Sequence, residues 1–150
     1  NGRSFLFAGW QELWGSRSQS EIEAHRNFQP LDTTMKAMQR LAIERDVRVS
    51  VLIMPTKGQV YRWVLDERPA MPADALSSGF ALAVLGECHR VRLRCFDIKG
   101  FLVAEAIRLY QSSGEVLWWR DDTHLSDRGH EAVAKFIAHE ILLAELRPAQ

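Results

Sequence analysis

The sequence has no apolar run approaching the roughly 18 residues that a membrane span requires; its longest, residues 51–54 and 80–85, fall far short. A bilayer-crossing helix is therefore not expected. Charge of one sign is not in excess either: 19 Lys and Arg balance 19 Asp and Glu, and there is no basic tract and no motif that reads RNA or DNA. Nucleic acid is not an expected partner. Cysteine is scarce, with only Cys88 and Cys95, too few for a disulfide framework and not at metal-ligand spacing. Both are expected to be free, buried thiols, although an oxidising compartment would let them pair. The sequence begins at Asn1 rather than Met, and its first residues carry neither the basic start nor the long apolar stretch of a secretory signal, so a boundary or processing site is expected upstream.

What remains is ordinary for one folded domain: 150 residues, 47% hydrophobic and 25% charged. Residues 1–30 join an apolar, aromatic start (FLFAGWQELWG) to a polar stretch closed by Pro30, and read as a leader or the tail of a preceding region. Residues 31–150 read as the domain proper. Asp32 is placed as a helix N-cap, and TTMKAMQRLAIERD sets Met35, Met38, Leu41 and Ala42 at helical spacing. VRVSVLIM, rich in β-branched residues and stopped by Pro55, predicts a buried strand. A loop then leads to a helix over about 74–89, a strand in VRLRCFDI, a helix ending at Gly114, a third strand in VLWWR, and a last helix over about 126–146. Alternating strands and helices imply an α/β fold, a parallel sheet covered on both faces. Three strands are fewer than such sheets usually have, so the sheet is expected to be incomplete, with an open edge through which the chain self-associates.

Chemistry concentrates in Asp121-Asp122-Thr123-His124, between the third predicted strand and the last helix. Ligands of open α/β sheets bind beyond the carboxyl ends of the strands, which is where this loop falls. A histidine works as a general base near neutral pH, and a neighbouring carboxylate fixes its tautomer and stabilises the imidazolium. Either Asp121 or Asp122 can orient His124, while Ser126 caps the following helix. The same residues are also ordinary turn and capping chemistry. A metal set of Asp121, Asp122, His124 and His130 matches no zinc spacing, so no metal or cofactor is expected. Thr56, Lys57 and Tyr61, with Gly58, follow a strand end and are candidates to line the same cleft against a carboxylate- or hydroxyl-rich substrate; a plain surface loop is the alternative. Of Trp118 and Trp119, one is available to stack on a sugar ring, because adjacent strand residues face opposite ways and the other goes to the core. Asp97 either lines the cleft or turns the chain at Lys99-Gly100.

The block DDTHLSDRGHEAVAKFIA resembles the last sequence block of the SGNH/GDSL hydrolase superfamily, in which Asp-x-x-His precedes a Gly-containing final helix. Asp121 and His124 fit that motif, with Gly129 in register. VSVLIMPTKGQVY, with Pro55, Lys57 and Tyr61, is similar to the subgroup related to bacterial polysaccharide O-acetylation proteins, such as those acting on alginate; its Asp-x-His pattern would select Asp122. The resemblance covers about residues 30–146. It implies a flavodoxin-like three-layer αβα sandwich, ester hydrolysis or acetyl transfer on an ester or acetylated carbohydrate, no metal, and a bacterial periplasm or cell envelope setting.

The superfamily's nucleophile is the Ser of Gly-Asp-Ser, and its oxyanion hole uses a Gly and an Asn. This chain has no Gly-Asp-Ser and no Asn-Asp, and its asparagines are Asn1 and Asn27 alone. In the usual order the nucleophile would precede residue 1; in the permuted order it would follow the last helix. Ser50, Ser77, Ser78, Ser112 and Ser113 lie in no nucleophile-elbow sequence. The expectation is a partial site, inactive in isolation. The contrasting expectation is a noncatalytic α/β module that binds a carbohydrate or protein through the same cleft. A response-regulator-like or flavodoxin-like domain is a weaker third, since no acidic cluster follows the first strand and no glycine loop cradles phosphate.

Overall fold

The computed structural model describes residues 16–143. The first half of the expected leader and the expected end of the last helix lie outside them. Helix α1 (Gln19–Glu23) starts at Ser18 through a reciprocal cap: the Ser18 hydroxyl accepts from the Glu21 N–H at 3.3 Å and the Ser18 N–H donates to the Glu21 carboxylate at 2.8 Å. Its one buried residue is Ile22. Helix α2 (Phe28–Glu44) begins five residues earlier than its expected start, so Asp32 is not its cap. Pro30 sits in the first turn, where the N–H it lacks would have no helical partner anyway. Asp32 instead binds Lys36 at 2.9 Å and Arg90 of a neighbouring helix.

Strand β1 (Ser50–Ile53) leads into two short helices, α3 (Lys57–Val60) and α4 (Arg62–Leu65), then a 3-10 turn at Pro72–Ala75. Helix α5 (Gly79–Val91) crosses over to strand β2 (Arg94–Asp97), which pairs in parallel with β1, Ser50 opposite Arg94 and Ile53 opposite Asp97. The helix expected over 74–89 thus starts later: Ser78 is its cap, its hydroxyl accepting from the Ala81 N–H at 3.2 Å. Gly79 is required there because a Cβ would overlap the Arg17 carbonyl oxygen, so α1 is docked directly on the start of α5. Helix α6 (Lys99–Ser112) and helix α7 (Asp127–Phe136) follow, and α7 continues as a π-wound segment over Ile137–Leu142.

Strand alternation feeds two cores. Leu52 packs with Tyr61, Ile98, Leu102, Leu117, Trp118 and Ala132, whereas Ile53 and Cys95 pack with Met35, Ala81, Val84, Cys88 and Leu93. Both faces of the strand pair are covered, which suits the parallel arrangement. Full burial of a side chain such as Leu102 contributes about 1.5–3 kcal/mol. The architecture is mixed α/β with two parallel strands among the described residues. No described helix is long and apolar enough to cross a membrane.

Two expectations are corrected. The third strand in VLWWR does not form: Trp118 makes a single antiparallel bridge to Leu125, on the chain's own return. A strand neighbour would need the backbone of Leu117, but its N–H donates to the Tyr61 hydroxyl and its carbonyl accepts from the Ser126 N–H. The β-branched and aromatic content that marks a strand is here buried by side-chain packing instead. The two thiols expected to be free are joined in a Cys88–Cys95 disulfide. Arg92, in the left-handed conformation at φ 60°, ends α5 and returns the chain so that the two Cα atoms stand 6.1 Å apart, within disulfide range.

The bond closes a short loop, so reduction is expected to lower the unfolding free energy by about 2 kcal/mol, measured by urea unfolding with and without a thiol reductant. Finding two free thiols in denatured, unreduced protein would contradict the pairing.

Candidate active site

Residues 117–126 form a closed loop. The Ser126 N–H donates to the Leu117 carbonyl at 2.9 Å and the Trp119 N–H to the His124 carbonyl at 3.1 Å. Ser126 is the joint: its hydroxyl donates to the Val116 carbonyl at 2.6 Å and accepts from the Gly129 N–H at 3.3 Å, capping α7 as the sequence implies. Gly129 lets α7 approach the loop, because a Cβ there would overlap the Leu117 carbonyl oxygen. From below, Tyr61 is fully buried and meets Trp118 edge to face, with ring centroids 6.2 Å apart. Burial pushes its hydroxyl up to about 12.

Lys57 also lies beneath this loop. Its side chain is buried, and its ammonium donates to the carbonyls of Trp119 at 2.7 Å, Arg120 at 3.0 Å and Asp122 at 3.0 Å. Burial presses its pKa below the ordinary lysine value, while the charges of Asp121 and Asp122 pull it back up. Thr56 caps α3: its hydroxyl accepts from the Gln59 N–H at 3.2 Å, and its own N–H donates to the Gln59 side chain at 2.8 Å. Thr56, Lys57 and Tyr61 therefore come together with the loop, as supports under it and at the end of β1.

On the outer side, the Asp122 carboxylate stands 2.8 Å from His124 Nδ1 and accepts from the backbone N–H groups of Thr123 at 2.5 Å and His124 at 3.3 Å. These bonds, the imidazole first and the Thr123 N–H next, hold its pKa below the usual 3.8. An ionised carboxylate only accepts, so Nδ1 carries the proton and Nε2 is left as a base. The His124 side chain is 80% exposed, and Nε2 has no partner among the described residues. Asp122 is the carboxylate in contact with His124; Asp121 is exposed and acts on Lys57 through its charge.

Other candidates are engaged elsewhere. Asp97 accepts from the Lys99 N–H at 2.9 Å, the turn role. His130 is exposed in the first turn of α7. Trp118 is buried and Trp119 half exposed, the division that alternation implies. Trp119 faces an open groove of about 820 Å³ shared with Arg120, Asp121 and Arg128. Among the described residues no three His, Cys, Asp or Glu side chains are grouped to hold a metal. Several described serine hydroxyls serve caps and turns: Ser18, Ser78 and Ser126 cap helices, and Ser112 and Ser113 bind the Leu109 carbonyl. The sequence signal for the supports was the four-residue spacing of Lys57 and Tyr61, which puts both on one helical face, turned inward.

No family model matches the chain, and neither a curated protein nor a solved structure matches it. The resemblance to SGNH hydrolases rests on the quoted residues alone.

With its pKa depressed in the fold, Asp122 contributes stability that is complete above 3.8 and is lost as pH falls through the lower folded value. Followed by carbon NMR of its carboxyl group, Asp122 is expected to titrate below 3.8, and His124→Phe to raise the midpoint toward it. Equal midpoints in the two proteins would show that the pair does not form.

Proposed function

We propose that the loop carrying Asp122 and His124 is the base and orienter of a serine-dependent acyl-transfer site, in an esterase or O-acyltransferase of SGNH type. The observation that carries the reading is the Asp122–His124 contact at 2.8 Å with Nε2 open to an incoming group. His124 Nε2 takes the proton of a serine hydroxyl as its oxygen attacks the acyl carbonyl, then passes it to the departing alcohol. Water, or a sugar hydroxyl, next gives a proton to Nε2, attacks the acyl-enzyme and frees the serine. Asp122 holds the ring and stabilises the imidazolium throughout. The serine comes from outside the described residues.

The covering of both faces of the β1–β2 pair supports placing this loop in a three-layer, flavodoxin-like sheet completed by further strands. The exposed Trp119 indole supports an acetylated carbohydrate as substrate, and the Cys88–Cys95 bond fits an oxidising setting such as the bacterial periplasm or cell envelope. A second reading, a noncatalytic module that binds carbohydrate or protein through the same cleft, is favoured by one observation: no described hydroxyl bonds to His124.

Turnover of p-nitrophenyl acetate separates the two. The isolated 150-residue chain is expected to show no acyl-enzyme burst. The natural gene product is expected to turn over, with His124→Ala lowering kcat by about 10⁴-fold or more and Asp122→Ala by less. Turnover that survives His124→Ala unchanged would sink the acyl-transfer reading, and a gene product that binds oligosaccharide without any turnover would favour the module.

A further inference from the structure

We infer that Lys57 is a positioning residue of this site: by holding the backbone of residues 119–122 its ammonium keeps the Asp122 carboxylate and the His124 ring in register. For its effect on turnover, the inference rests on the acyl-transfer reading. For its effect on geometry it stands alone.

Asp122 is gripped from two sides. Its carbonyl oxygen accepts from Lys57 on the inner side, while on the outer side its carboxylate accepts from two backbone N–H groups and meets the imidazole. Displacing the Asp122 backbone therefore displaces the group that orients His124. The other two acceptors, from Trp119 and Arg120, converge on the same nitrogen from the preceding residues. An ammonium has three donors and no acceptor, a number that matches the three carbonyls it meets. A carboxylate in place of these carbonyls would neutralise Lys57 equally well but would take this donor from the Arg120 and Asp122 carbonyls and leave the Trp119 carbonyl the Asp122 N–H at 3.4 Å.

Lys57 also reports where the sheet is. It opens α3, which the Thr56–Gln59 cap fixes just past the end of β1. The loop is thereby referenced to β1 on one side, through Lys57, and to α7 on the other, through Ser126 and Gly129. Arginine cannot replace lysine in this seat, because its flat guanidinium spreads its donors instead of converging them on one atom.

The test compares the wild-type protein with Lys57→Met and Lys57→Arg, reading the carboxyl titration of Asp122, the hydrogen-bonded Nδ1 proton of His124, and near-ultraviolet circular dichroism for the core. In both variants the Asp122 midpoint is expected to move up toward 3.8 and the Nδ1 proton signal to vanish, with the core spectrum kept. In the natural gene product kcat is expected to fall about 100-fold with KM little changed, as for a misplaced catalytic group. An unchanged Asp122 midpoint in folded Lys57→Met overturns the inference. If wild-type Asp122 itself titrates at 3.8, the acyl-transfer reading falls with it. Should neither variant fold, the ammonium protons of wild-type Lys57 decide: slow exchange supports the inference, and exchange as fast as that of exposed Lys36 overturns it.

Discussion

One buried cation organises the chemically interesting end of this protein. Lys57 satisfies three carbonyls that turn toward the interior from residues 119, 120 and 122, a stretch with no regular secondary structure of its own. A hydrogen bond to a charged group contributes about 1.5–3 kcal/mol, and a buried carbonyl left without a donor costs about 1–3 kcal/mol. The arrangement therefore works as a unit, since removing the cation takes a donor from three acceptors together, with the Trp119 carbonyl keeping the Asp122 N–H. Desolvation opposes it, but the nearby charges of Asp121 and Asp122 partly offset that cost.

The rest of the site is built outward from that clamp. Tyr61, one turn along from Lys57, takes the Leu117 N–H and fills the space under Trp118, while Ser126 and Gly129 bring α7 against the far end of the loop. The loop is thus rigid on its inner face and open on its outer face. Asp122 and His124 sit on the open face, where an exposed imidazole can meet a group arriving from solvent or from another segment of chain. A rigid base under an exposed acid-base pair is what general-base chemistry requires, because the ring must not turn when the proton arrives.

Much of this was legible in the sequence because local signals carried it. A β-branched run stopped by Pro55 located β1, alternation in VRLRCFDI located β2, Gly114 marked the end of α6, and Ser126 ahead of an amphipathic run located the start of α7. The Asp-Asp-Thr-His cluster marked a candidate site, although only the backbone turn shows Asp122 to be the carboxylate at His124. What was not legible depends on long-range pairing. VLWWR has strand composition, yet its backbone partners are a phenol 56 residues back and its own return. Lys57 reads as a cation lining a cleft or a surface loop until its three acceptors, 62 to 65 residues on, are brought over it. The Cys88–Cys95 bond depends on how α5 hands over to β2, which spacing alone does not fix.

If Asp122 and His124 serve a serine, a fluorophosphonate ester should trap that serine in the natural gene product, and peptide mass mapping should locate the adduct. A single serine adduct, lost in His124→Ala, is the predicted result and would identify the nucleophile that these residues activate. No adduct, or one that forms equally fast in His124→Ala, would contradict a catalytic role for the Asp122–His124 pair.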